Sequence, residues 1–181
     1  MTTAPTNAPA SAGFPSDLTP AQLLYPDLRT ELATTRRTLE RVPDEELDWR
    51  PHDKSTTIGR LATHLSQLPS FATTMLTSSE LDVATTTWPS DTITTTAERL
   101  ALFDSLAADM VARVEAVEWP ALGETWTLRA GDHVILRETK RVLLRSLVLS
   151  HMAHHRAQLG VYLRLRGVPV PGVYGPSADE R

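Results

Sequence analysis

Six histidines stand at positions 52, 64, 133, 151, 154 and 155. Three of them crowd into Ser150-His151-Met152-Ala153-His154-His155-Arg156-Ala157-Gln158. On a helix, His151 and His155 lie about 40° apart on one face, with His154 about 60° from His151 at its edge. Leu144, Leu147, Val148, Leu159 and Tyr162 fall on the same face, so the pair sits in the stripe that a packed helix buries. An imidazole placed there needs a partner for both ring nitrogens. It is either a hydrogen-bonded core residue or a ligand, and two at i,i+4 can aim their nitrogens at one cation. A third donor has to come from another helix. His64 qualifies, because Leu61, Leu65, Leu68 and Phe71 put it on the inner face of its own helical segment.

Three neutral nitrogen donors leave at least one coordination position open, the pattern of a reactive rather than a sealed site. Zinc in such a site activates water as a nucleophile or binds a substrate thiolate. Zinc or nickel is the expected metal, with iron and manganese also compatible, since ligand identity alone does not decide. His154, or a carboxylate that spacing does not identify, is expected to move the proton, with Gln158, Arg156 and Tyr162 as supporting residues around the ligands. Position 152 is Met, so the HExxH arrangement and its glutamate base are absent. No glycine-rich phosphate loop and no G-x-S-x-G elbow occurs. The run Asp44-Glu45-Glu46 reads as a solvated first turn, His52 and His133 as surface residues, and Trp49, Trp88, Trp119 and Trp126 chiefly as packing groups.

The elements that must position these side chains are mostly helical. Thr19-Pro20-Ala21-Gln22 combines a capping threonine, proline at the first helical position and a reciprocating glutamine, starting a helix toward Val42 that Pro26 interrupts. A second helix opens near Ser55 or Thr56 and runs to about Leu76, with a kink expected at Pro69. The stretch from Thr77 to Thr96 is polar and aperiodic, hence a lid or loop. Thr95-Thr96-Ala97-Glu98 caps a third helix striped by Leu100, Phe103, Leu106, Met110, Val114 and Val117. Segments 125–129 and 133–136 flank Ala130-Gly131-Asp132 as a small hairpin. The last helix, about Lys140 to Arg166, stops at Gly167 with Pro169 beyond. Four such helices without βαβ alternation predict an all-α four-helix bundle carrying one β-hairpin before its last helix. Residues 1–17 are expected to be a disordered tail and 18–181 the folded domain; the Tyr174 segment is expected to cover part of the pocket.

Composition narrows the function. With no cysteine, thiolate nucleophiles, iron–sulfur clusters and disulfide scaffolds are excluded. A net charge of −4 argues against general affinity for nucleic acid. The polar, proline-bearing N-terminus carries no signal-like apolar stretch, and no apolar run is long enough for a membrane span, so a cytoplasmic location is expected.

Four segments in order carry a resemblance: Leu39 to Pro51 (LERVPDEELDWRP), Ile58 to Leu65 (IGRLATHL), His151-x-x-x-His155-Arg156-Ala157-Gln158-Leu159, and Pro169 to Glu180 (PVPGVYGPSADE). Together they resemble the DinB/YfiT-like metalloprotein superfamily, with Ala157 where the family commonly has glycine. The resemblance implies a four-helix bundle, often homodimeric, with a divalent metal on His64, His151 and His155. It also implies relatives that are transferases or isomerases using low-molecular-weight thiols. The expected function is therefore a metal-dependent enzyme acting on a small molecule, as a thiol-dependent transferase or isomerase or as a hydrolase. The alternative is a non-catalytic ligand-binding or dimerisation module with a vestigial metal site.

Overall fold

The computed structural model describes residues 18–87 and 93–180. The expected N-terminal tail and Trp88 lie outside them. Thr19 caps α1 (Pro20–Leu24), its hydroxyl accepting from the Gln22 amide while Gln22 reaches back to the Thr19 amide. Pro26 separates this turn from α2 (Leu28–Leu39). A 3-10 turn at Asp44–Glu46 follows. Its acids do more than face solvent: Asp44 accepts from the Thr96 amide at 2.7 Å, and Glu46 pairs with Arg166 at 2.8 Å. The spacing of residues alone could not supply either partner, since both are distant in sequence.

The second predicted helix is two, α3 (Ile58–Gln67) and α4 (Pro69–Thr77), divided at Pro69. The first amides of α3 are satisfied by the connection before it, Ile58 N–H donating to the Trp49 carbonyl and Gly59 N–H to that of Leu47, both at 2.9 Å. Gly59 gives that approach its room: a Cβ would lie 3.0 Å from the Leu47 carbonyl oxygen, tighter than ordinary contact. The Thr77–Thr96 stretch is not all loop. It contains β1 (Glu80–Asp82), which pairs in parallel with β2 (Thr125–Ala130), itself antiparallel to β3 (His133–Thr139). The predicted hairpin, turning at Gly131 with φ +56°, is thus two-thirds of a three-stranded sheet. Trp126 anchors that sheet in the core, fully buried, its indole N–H donating to Ser78. Between the first two strands runs α5 (Thr96–Ala116), opened by the Thr95–Glu98 capping box, then the short α6 (Trp119–Gly123).

The final helix is continuous but not uniform. It begins as α7 (Lys140–Leu143), widens into a π-helical segment (Leu144–Ser150), and continues as α8 (His151–Leu165) until Gly167 reverses the chain at φ +73°. Both α2 and α3 pack chiefly against α5 and α8, so α2 faces α3 across the bundle. Leu32, Leu39, Leu61, Leu65, Leu68, Phe103, Met110, Val148, Met152 and Leu159 fill the space between. Burying such side chains contributes roughly 1.5–3 kcal/mol each. Among the described residues no helix is long and apolar enough to cross a membrane.

Candidate metal centre

Two elements bring three histidines together. His64 comes from the second half of α3; His151 and His155 come from consecutive turns at the start of α8. Their ring centroids lie 5.2 Å (64 to 151), 4.8 Å (64 to 155) and 4.5 Å (151 to 155) apart. One nitrogen from each falls within a set of atoms all less than 4.8 Å from one another. Each residue is half-buried rather than sealed in the core. The buried stripe of α8 is Met152, Arg156, Leu159 and Leu163, one position round from the histidines, so the two imidazoles stand at the border of core and cavity.

The hydrogen bonds decide which nitrogens are free. His155 Nδ1 lies 2.7 Å from Gln158 Oε1, and His151 Nδ1 lies 3.3 Å from the Leu147 carbonyl. Both oxygens can only accept, so each Nδ1 carries the proton and each Nε2 keeps its lone pair. Burial lowers the pKa of His64 to about 4, with His155 and His151 repelling the charged form further. Burial also lowers His151, assisted by His155 and opposed by the Leu147 carbonyl. For His155 burial again leads, and the Gln158 oxygen works against it. All three rings are therefore mainly neutral at pH 7, the state in which imidazole binds a metal.

The other expected site residues separate. Gln158 holds His155. His154 is exposed, with its ring centroid 5.0 Å from that of His155. Arg156 is not beside the histidines at all: it is buried, its guanidinium pairing with Glu31 at 2.8 Å and donating to Thr35 and to the Tyr174 hydroxyl. A helix turns about 100° per residue, which points position 156 toward α2 when 155 faces α3. Tyr162 packs edge-on against Trp49 at 5.9 Å, away from the cluster. The Tyr174 tail does not cover the site either. Arg156 and Glu31 hold the Tyr174 hydroxyl, while Arg164 binds Asp179 and Arg37 and Arg41 bind Glu180, which ties the segment to the outer faces of α2 and α8. His52 and His133 are exposed, as expected.

His64 and His155 open onto a cavity of about 1040 Å³, large enough for a small molecule. Its wall includes Thr57, Arg60 and Thr63 of the α3 region, Phe71, Val83 beyond β1, and Asp44 and Asp48. Sequence reasoning missed two residues here, Gln67 and Arg99, both buried and both lining the cavity. The signal was present: Gln67 is three positions after His64, and Arg99 is four before Phe103, so each shares an inward face.

The family model that matches is that of the DinB family, over residues 18–181. The chain is 26% identical over 151 residues to the uncharacterized protein YrdA of Bacillus subtilis, covering 83% of this chain and 85% of that one. Three solved structures share the fold. A DinB-like protein from Bacillus cereus superposes with a TM-score of 0.65 at 22% identity, covering 83% of this chain and 95% of its own. The DinB-like protein YjoA of Bacillus subtilis superposes with a TM-score of 0.60 at 18% identity, with 88% and 99% covered. YfiT of the same organism, described as a probable metal-dependent hydrolase with an unusual four-helix bundle topology, gives 0.60 at 16% identity, with 86% and 93% covered.

Proposed function

The chain belongs to the DinB family, and from that premise we propose that it is a divalent-metal-dependent enzyme that transfers or hydrolyses a group on a small molecule in the cavity beside His64, His151 and His155. The observation that carries this reading is the convergence of three neutral imidazoles, two with Nε2 lone pairs left free by their Nδ1 hydrogen bonds, at the edge of an open cavity. The donor set fits a borderline ion such as zinc or nickel. When bound, such an ion supplies Lewis-acid activation of a nucleophile, either water or a low-molecular-weight thiol. The description of YfiT agrees with the hydrolytic form of the proposal.

The chain's own residues supply the rest. Gln158 fixes the His155 ring and its tautomer. Leu147 does the same for His151 through its carbonyl. His154, exposed beside His155, is the proton-moving group in this proposal. Phe71 and Val83 supply apolar wall against which a substrate packs. An open cavity at the histidines favours a reactive centre over a structural one, which would be closed.

The test is metal content by mass spectrometry on untagged protein, for wild type beside His64→Ala and His151→Ala. Near-stoichiometric metal in the wild type, lost in both variants, is expected, followed by thiol-transfer and hydrolysis assays on the loaded protein. No metal after reconstitution with zinc, nickel and iron would overturn the proposal.

A further inference from the structure

Two donors in the cavity wall have no partner among the described residues. Arg99 is 3% exposed and Gln67 5% exposed. The Arg99 guanidinium donates through Nε to the Thr63 hydroxyl at 3.0 Å and through Nη2 to the Ile93 carbonyl at 3.3 Å, which leaves Nη1 unbonded. The Gln67 Nε2 amide is unbonded as well. Among the described residues no carboxylate lies within ion-pairing distance of Arg99. The nearest acids are committed elsewhere: Asp44 to the Thr96 amide, Glu98 to the amides of Thr94 and Thr95. Leaving a buried donor unpaired costs about 1–3 kcal/mol, and more when it is charged. Asp44 and Glu98 act on the Arg99 charge only from beyond ion-pairing distance, so its free donor stays available to a group that reaches it directly.

Position adds to this. Thr63, which holds the guanidinium, is the residue before His64, and Gln67 is one turn after it. Both unpaired groups thus belong to the same wall as His64 and His155. Two unbonded donors, one of them charged, suit a ligand group with oxygen lone pairs and negative charge. A carboxylate offers two oxygens in the plane that suits a guanidinium. A dianionic phosphate is disfavoured, because Asp44, Glu45 and Asp48 line the same cavity.

We propose that Arg99 and Gln67 form a receptor for a carboxylate on the substrate, so that the enzyme acts on a small carboxylic acid whose reacting centre lies a few bonds from that group. The proposal rests on the reading of the cavity as the substrate site. It makes Arg99 and Gln67 the specificity determinants, since an uncharged analogue would leave both donors buried and unpaired.

The experiment is a titration of isotopically labelled protein, metal-free and zinc-loaded, with butyrate, butyramide and inorganic phosphate, followed by NMR. Butyrate should shift the Gln67 side-chain amide and the backbone amides of residues 63–67 in a saturable way in both forms, and butyramide should not. In Gln67→Leu the backbone amides report the binding. Arg99→Met and Gln67→Leu should each weaken butyrate at least roughly tenfold, the loss expected for a charge-assisted hydrogen bond. Should Arg99→Met fail to fold, Gln67→Leu alone decides the matter. Equal binding of butyrate and butyramide, tighter binding of phosphate, or butyrate binding unchanged in the variants would each overturn the proposal. Binding seen only with zinc present and surviving in the variants would also overturn it, placing the carboxylate on the metal. Failure of wild-type protein to take up zinc would sink the metal-dependent reading yet leave the butyrate response of the metal-free protein as a clean test of the receptor.

Discussion

The hydrogen bond from His155 to Gln158 should be measurable as metal affinity. At 2.7 Å it is the shorter of the two that set tautomers here; the bond from His151 to the Leu147 carbonyl is 3.3 Å. Gln158→Leu keeps the size and removes the acceptor. His155 then loses both the preference for protonation at Nδ1 and the restraint on its ring. Outer partners of ligating histidines are worth about tenfold to a hundredfold in metal affinity, or roughly 1.4–2.7 kcal/mol. Because the bond is short, the effect should reach at least tenfold. Gln158→Glu should act in the opposite direction, since a carboxylate accepting from Nδ1 makes a bond about twice as strong and raises the basicity of Nε2. The assay is competition for zinc against a chromophoric chelator at fixed pH, with circular dichroism to show that each variant is folded. Zinc affinity of Gln158→Leu within twofold of wild type, or weaker binding by Gln158→Glu, would refute the assignment of Gln158 as the residue that orients His155.

Three further outcomes follow from the geometry. The metal-free protein should lose stability as pH falls from about 6.5 to about 4: the unfolded chain protonates His64 near the usual value while the folded one resists until about 4, so unfolding takes up a proton across that window. Thermal melts of His64→Gln should show a smaller fall over the same range, and an identical pH profile would count against the assignment. Arg156→Ala strips a buried carboxylate of its cation and should cost about 3–5 kcal/mol, whereas Tyr174→Phe removes one hydroxyl and should cost about 1 kcal/mol; denaturant titration of the two separates a buried ion pair from a surface contact. Gly59→Ala should lower the melting temperature by several degrees, about 1–2 kcal/mol, because its methyl group meets backbone at Leu47 and not a side chain that can move.

The parts of this molecule that sequence alone made legible are those governed by local chemistry. The capping boxes at Thr19 and Thr95, the break at Pro26, the interruption at Pro69 (expected as a kink, found as a split into two helices) and the stop at Gly167 each depend on residues within one or two turns. The i,i+4 spacing of His151 and His155, with His64 on an apolar face, was enough to assemble the three-histidine cluster for the same reason. What stayed hidden depended on distant partners. Three residues of β1 carry no periodicity, and their strand character comes from pairing with residues 127–129. Arg156 looked like a neighbour of the site because its partner, Glu31, lies on another helix. The tail's acids likewise gave no hint that Arg37, Arg41 and Arg164 would hold them away from the cavity. Arg99 went unread, because nothing in its spacing shows that its guanidinium is buried with a donor left over.

The π-helical segment also explains how an apolar spacing unsuited to an α-helix can still face one core. Leu144, Val148, Met152 and Arg156 are buried at intervals of four, and in an unbroken α-helix each such step would drift by about 40°. Widening the turn before His151 absorbs that drift over the first part of the run, up to Ser150. In effect the helix carries one residue more than its length requires, and the surplus is placed immediately upstream of the first histidine. Deleting a single residue from Leu144–Ser150 would let the whole segment close as regular α-helix. The parts on either side would keep nearly the same phase, because a widened turn with one extra residue turns the chain about as far as the α-helical turn that replaces it. The irregular turn thus lets the helix hold a surplus residue beside the first histidine without disturbing how α7 meets the sheet or how α8 presents the imidazoles.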